Sequence, residues 1–295
     1  MTTTAPRTST TPAVALLQAG AAVLVVYAYL VGQHFDLAFV RIALNRPLGL
    51  GEDFGPLALL VLLATTGYST VLDRTPLRTQ LVRTYLPAGV AVLLGAIAIT
   101  FGASIWTAPD SSDTSFLAVL GNLSLVSHLV TGEQLLVPLG WVVLLQLVGV
   151  VTAEPVRRFG VVVPIAQIVV VTLVVAFAPN SRAALVLVFY PLVVIGQLVA
   201  MHRHRVIPTW IAAGTAAVCA IPVLGLNSTN QAFAEWWYPV ASLVAALLLA
   251  VAVTYGGETA HRLAAPVAVR WLADHASWVV VLVGVVGYPL LAGAR

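Results

Sequence analysis

Nine runs of roughly 20 residues in this 295-residue chain contain no Asp, Glu or Arg. Each is about long enough, at ~1.5 Å per residue, to cross ~30 Å of hydrocarbon as a helix. They are residues 13–32, 54–72, 87–106, 135–153, 160–178, 183–201, 206–226, 237–256 and 277–293. Hydrocarbon offers a peptide group no hydrogen-bond partner, so such runs must satisfy their backbone internally, as helices do. Only 8% of residues are charged, 60% are hydrophobic and the mean hydropathy is +0.99, a balance that excludes a soluble globular domain. The expected fold is an all-α integral membrane protein, a polytopic bundle of about nine transmembrane helices plus one short dipping or interfacial segment. That segment, residues 116–130, carries Asn122, Ser124, Ser127 and His128, and reads either as a tenth span or as an element that does not cross.

Arginine placement decides between the two, because cytoplasmic connectors collect positive charge. With nine crossings the N-terminal side holds ten arginines (Arg7, Arg74, Arg78, Arg83, Arg157, Arg158, Arg203, Arg205, Arg262 and Arg270) against four; with ten crossings the split is six against eight. Nine crossings with a cytoplasmic N-terminus is therefore the expectation. Residues 1–12, Thr-rich with one Arg, read as a disordered cytoplasmic tail, and residues 13–295 as a single transmembrane domain. The net charge of +3 comes from the connectors and speaks for a lipid bilayer as partner and against nucleic acid. The lone Cys219 excludes a disulfide framework and a thiolate metal cluster. All basic residues are Arg and none is Lys, which we read as a high-GC coding bias and not as a mechanism; the location expected for the chain is a bacterial inner, cytoplasmic membrane.

Residues 51–87 join a charge-free run to a short connector holding Arg74, Arg78 and Arg83, followed by a second apolar run from Pro87. Three guanidiniums at a membrane surface either hold the chain's orientation or grip the phosphates of an anionic donor. His34 and Asp36 follow the first run two residues apart, and His128 and Glu133 lie five apart near the short segment. A His oriented by a carboxylate is a suitable general base; an interfacial His and a re-entrant polar element account for the same residues without chemistry. Gln18, Gln146, Gln167 and Gln197 lie inside runs, where interhelical hydrogen bonds explain them. His202-Arg203-His204-Arg205 reads as a solvated basic connector, since His residues two apart do not share a helix face, and no metal site is expected.

The order of these features resembles the acyltransferase-3 family of integral-membrane acyltransferases. Thr66-Gly67-Tyr68 resembles the family's Ser-Gly-Phe helix end, and Arg83-Thr84-Tyr85-Leu86-Pro87 its Arg-Ile-x-Pro element. Phe189-Tyr190-Pro191-Leu192-Val193-Val194-Ile195-Gly196 is similar to its Phe-Leu-Leu-Gly helix, and Trp271 to Trp278 to its late Leu-Gly-x-x-Ser-Tyr element. The chain departs from the family elsewhere. Gln18 and Tyr29 stand where it carries an Arg and a His, Gln146 follows Trp141 where it has a Glu, and Gly284 or Gly287 replaces a late His.

The resemblance implies a protein that transfers an acyl group from a cytosolic thioester, acyl-CoA as co-substrate, to a hydroxyl of a sugar, lipid or secondary metabolite. No bound cofactor is implied. Arg74, Arg78 and Arg83 would bind the donor, and His34 with Asp36, or His128 with Glu133, would supply the base. The alternative is a non-catalytic relative of the same scaffold, acting as a transport, flipping or assembly subunit.

Overall fold

The computed structural model describes residues 11–31, 47, 54–102, 114–126, 129, 136–137, 139–229 and 237–287. The tail at 1–10, His34, Asp36, His128 and Glu133 lie outside the described residues, which hold no strand. The helices are α1 (Pro12–Val26, continued by a π turn, Tyr27–Val31), α2 (Gly55–Leu72), α3 (Leu77–Thr100), α4 (Phe116–Ser124), α5 (Gly140–Phe159), α6 (Val162–Phe177) and α7 (Arg182–Leu187). They continue as α8 (Pro191–Arg203), α9 (Thr209–Val218), α10 (Ala220–Thr229), α11 (Trp237–Tyr255), α12 (Glu258–Ala264), α13 (Val267–Asp274) and α14 (Ala276–Leu282, continued by a π turn, Val283–Gly287).

Among the described residues, seven helices are long and apolar enough to cross a membrane, with α7–α8 and α9–α10 each counting as one. The pair Val267–Asp274 and Ala276–Gly287 makes an eighth if it is one span, bent by 66°, and Val162–Phe177 is a shorter apolar helix. The chain is thus a polytopic helical bundle.

Burial ranks the spans in a way hydropathy does not. In α2 and in Arg182–Arg203, 72% of the spanning window is buried, against 33% in Leu77–Thr100 and 28% in Thr209–Thr229. The two central spans cross through glycines. A Cβ on Gly67 would overlap the carbonyl of Val193, and one on Gly196 would overlap the carbonyl of Ala64 and the amide of Tyr68. Small residues let two backbones approach this closely, and lipid-immersed helices, lacking a hydrophobic drive to associate, hold together through such packing. The hydroxyls of Thr65, Thr66, Ser69 and Thr70 return to carbonyls of their own helix, so α2 carries them at no cost in unsatisfied groups.

Contacts between helices establish their relative directions. Gln146 meets Thr66 and, further along both helices, Arg157 meets Asp73, so α2 and α5 run parallel. Trp141 packs against Phe189 and Gln197 reaches Thr152, so α5 and α8 do too. Tyr238 donates to the carbonyl of Val188 at the start of α11, and a Cβ on Gly256 at its end would meet Ala13 at the start of α1. One end of the bundle therefore carries Arg74, Arg78, Arg83, Arg157, Arg158, Arg203, Arg205, Arg262 and Arg270, while the remaining described arginine, Arg182, opens a span at the other end.

One expectation changes. The connector after α2 is only residues 73–76. Residues 77–86 contain no Gly or Pro and extend α3 outward, putting Arg78 and Arg83 on a helix, with Pro87 inside it. Within residues 116–130 the described helix is α4, nine residues spanning about 14 Å, shorter than a crossing needs. Ser115 Oγ accepts from Ala118 N to start it, and Leu125 ends it with a left-handed φ of 56°. It is tied down by Tyr85, whose hydroxyl donates to Leu123 O at 2.7 Å, and by Asn122, whose Oδ1 accepts from Leu136 N at 2.7 Å.

Gly67→Ala and Gly196→Ala are each expected to lower stability by about 1–3 kcal/mol through forced separation of the central spans. Gly20→Ala, where nothing lies within 4 Å of the added carbon, should be neutral or stabilising by up to about 1 kcal/mol. Thermal unfolding in detergent measures all three.

Candidate functional site

A polar seam runs through the centre of the bundle. Gln146 Nε2 on α5 donates to Thr66 Oγ1 on α2 at 3.1 Å, and Ser277 Oγ on α14 donates to Gln146 Oε1 at 3.2 Å. Thr66 Oγ1 in turn donates to Leu62 O at 2.8 Å. A second knot lies further along α5. Thr152 Oγ1 accepts from Gln197 Nε2 at 3.2 Å and shares a hydrogen bond of 3.1 Å with the Tyr190 hydroxyl. Gln197 Oε1 is buried without a partner among the described residues. These groups are all neutral. They can orient a ligand or fix the register of four helices, but a neutral amide does not remove a proton from a hydroxyl.

Three separate stretches of sequence meet in this seam. Thr66 belongs to Thr66-Gly67-Tyr68, Gln146 follows Trp141, and Ser277 lies in the late Trp271–Trp278 stretch. The fourth, Phe189 to Gly196, packs against them through the Trp141–Phe189 ring contact, 4.9 Å between centroids, and through Gly196 against α2. The late stretch is divided by a break in the chain. Trp271 to Asp274 lie on α13, which has no buried residue; the backbone then bends by 66° at His275 into α14. His275 stacks on Trp271 at 4.7 Å and its Nδ1 lies 2.8 Å from Trp271 O, so its ring is held against α13.

The arginine-rich end has its own geometry. Arg74, Arg78 and Arg83 are exposed, and no carboxylate pairs with them among the described residues. Arg78 and Arg83 are five residues apart on α3, so about 140° separates their directions around the helix. They face different sides.

The connector itself is rigid. Thr75 N donates to Asp73 Oδ1 at 2.9 Å, and the buried Gln80 donates from Nε2 to Asp73 O at 3.1 Å and Thr75 O at 2.8 Å. Arg157 braces it from α5. Its Nη1 donates to Thr70 O at 3.0 Å, Val71 O at 3.3 Å and Asp73 O at 2.7 Å, while Nε and Nη2 hold Glu154 Oε2 at 3.1 and 2.7 Å. The last carbonyls of a helix have no intrahelical donor and carry partial negative charge, so a guanidinium from a neighbouring helix is a fitting cap.

Of the residues singled out from sequence, the seam gathers Gln146 and Gln197; Arg74, Arg78 and Arg83 share one end of the bundle, with Arg78 and Arg83 on different sides of α3; His34, Asp36, His128 and Glu133 are outside the described residues. Arg157 entered the sequence reading only as a unit of charge. Its one local signal is Glu154 three residues earlier at the end of a span. Among known proteins, no family model, no curated sequence and no solved structure matches this chain.

Gln146→Leu removes two interhelical bonds and should destabilise the bundle by about 2 kcal/mol. In a double-mutant cycle with Ser277→Ala, unfolding should reveal a coupling of about 0.6–1.7 kcal/mol. Arg157→Gln strands the carbonyls at the end of α2 and should speed amide exchange at residues 73–80 before global unfolding.

Proposed function

We propose that this protein is a membrane acyltransferase-like enzyme that moves an acyl group from a cytosolic thioester to a hydroxyl of a sugar, lipid or secondary metabolite. The observation that carries the reading is the convergence of Thr66, Gln146 and Ser277 from three distant stretches into one hydrogen-bonded chain. Those stretches are the ones in which the sequence resembles the acyltransferase-3 family. In this reading the chain crosses a bacterial inner membrane nine times, with α6 and the bent α13–α14 pair as crossings, and its N-terminus and arginine-rich end face the cytosol.

An acyl-CoA donor then meets Arg74, Arg78 and Arg83 from that side, where planar, permanently charged guanidiniums suit its phosphates. His34 with Asp36, or His128 with Glu133, takes the proton from the acceptor hydroxyl. The oxygen attacks the thioester carbonyl, the carbon–sulfur bond breaks, and the CoA thiolate leaves.

One observation favours a second reading, a non-catalytic transport, flipping or assembly subunit on the same scaffold. Gln146 stands where the family has Glu, and both ends of its amide are already engaged by the protein.

Purified protein incubated with labelled acyl-CoA and a lipid or sugar extract separates the two. Enzymatic transfer by wild type should fall about 10²–10⁴-fold in either His34→Ala or His128→Ala. Arg78→Ala/Arg83→Ala should raise KM for the thioester with kcat little changed. No transfer by the wild type assigns the second reading.

A further inference from the structure

We propose that the groove between α5, α6 and the α7–α8 junction binds one anionic phospholipid, its phosphate on Arg158 and one acyl chain in the groove. The proposal is independent of acyl transfer.

The groove has a volume of about 550 Å³, and Phe159, Val163, Ala166, Gln167, Leu187 and Tyr190 are among the residues that line it. That size lies within the ~300–1,000 Å³ of small-molecule sites. It opens on the lipid-facing side of α6, where Val162 is 65% exposed and Val170 56%, so an apolar occupant enters it from the bilayer.

Two polar features make the groove more than an apolar crevice. Both side-chain atoms of Gln167, Oε1 and Nε2, are buried and have no hydrogen-bond partner among the described residues. Leaving such a group unpaired costs about 1–3 kcal/mol, so turning Nε2 outward onto an acceptor brought in by a ligand would be favoured. The second feature is a cation at the mouth. Arg158 is exposed, and its guanidinium carbon lies 5.2 Å from the centre of the Phe159 ring, which lines the groove. The nearest acidic residue in sequence, Glu154, is held by Arg157 through two hydrogen bonds, leaving Arg158 available to an anion.

The spacing of the two features fits a phospholipid. Five residues separate Val162, at the start of α6, from Gln167, a rise of about 7.5 Å into the membrane. The headgroup layer on each side of a bilayer is about 5–7 Å deep. A phosphate at Arg158 therefore sets the lipid's ester carbonyls near the level of Gln167 Nε2, with the acyl chain continuing past Ala166 and Val170. A soluble anion would satisfy Arg158 but not the apolar groove, and a neutral hydrocarbon the reverse.

The full chain, delipidated in detergent, is titrated with phosphatidylglycerol or with phosphatidylcholine of identical acyl chains, and lipid-bound mass is read by native mass spectrometry. One saturable site is expected, with phosphatidylglycerol bound about five-fold tighter, the ratio equivalent to about 1 kcal/mol for one arginine at a membrane surface. Arg158→Gln should erase that preference. Gln167→Leu should weaken both lipids several-fold and keep it. Ala166→Trp, at an exposed position that fills the groove, should abolish saturable binding; Val170→Trp does the same from the other side if the first variant unfolds. Equal, unsaturable uptake of both lipids, or saturable binding untouched in a folded groove-filling variant, overturns the proposal. So does a dimer mass that the groove-filling variants disperse, which would make this face a contact between copies.

Discussion

Everything in this bundle is arranged around the point where α2 and α8 touch backbone to backbone. Lipid chains solvate a leucine as well as another leucine does, so apolar area does not drive helices together inside a membrane. Close van der Waals contact does, and it requires that neither helix carry a Cβ at the crossing. Gly67 and Gly196 meet that requirement on both sides of one contact. Once the two backbones are this close, α5 fits along both with its own small residue, Gly149, facing Val193, and the polar side chains of α2, α5 and α8 come within hydrogen-bond reach.

The seam and the arginine brace are consequences of that crossing, and they act at different depths. Gln146, Thr66 and Ser277 join α2, α5 and α14 in the interior, where a missing partner would leave a polar group in hydrocarbon. Arg157 works at the membrane surface, where the ends of α2 and α5 leave the bilayer together. By closing the open carbonyls of α2 it fixes the short turn at 73–76, and that turn sets where α3 begins and how Arg74 and Arg78 are presented. The arginine cluster is therefore displayed on a braced turn and the first turns of a helix. That gives the guanidiniums defined directions, and it also keeps Arg78 and Arg83 on different sides of α3.

Legibility differed by element for physical reasons. The spans were readable because a ~30 Å apolar slab imposes a length and a composition on any helix that crosses it. The weak crossing tendency of 116–130 was readable from its length and polar residues, and the nine-residue α4 agrees. The start of α3 was not, because Arg78 and Arg83 mark where a helix leaves the membrane, and a charge does not end a helix. The same blindness hid the bend at His275, where a helix with no buried residue meets a buried one within what reads as a single motif. Gln146 was recognisable as a polar residue inside a span, but its partners Thr66 and Ser277 lie 80 and 131 residues away.

The sequence by itself determined that this chain is a multi-helix membrane protein and that its positive charge gathers at one end of the bundle. Those properties follow from one-dimensional quantities, run length and charge placement. Only the tertiary structure decided which spans lie at the centre, that three distant stretches share one polar seam, and that Arg157 serves as a cap for another helix. The spans are mostly apolar whether a side faces lipid or protein, so mean hydropathy carries little record of which neighbours a helix has. That information resides in a few small and polar residues, whose meaning depends on what is packed against them.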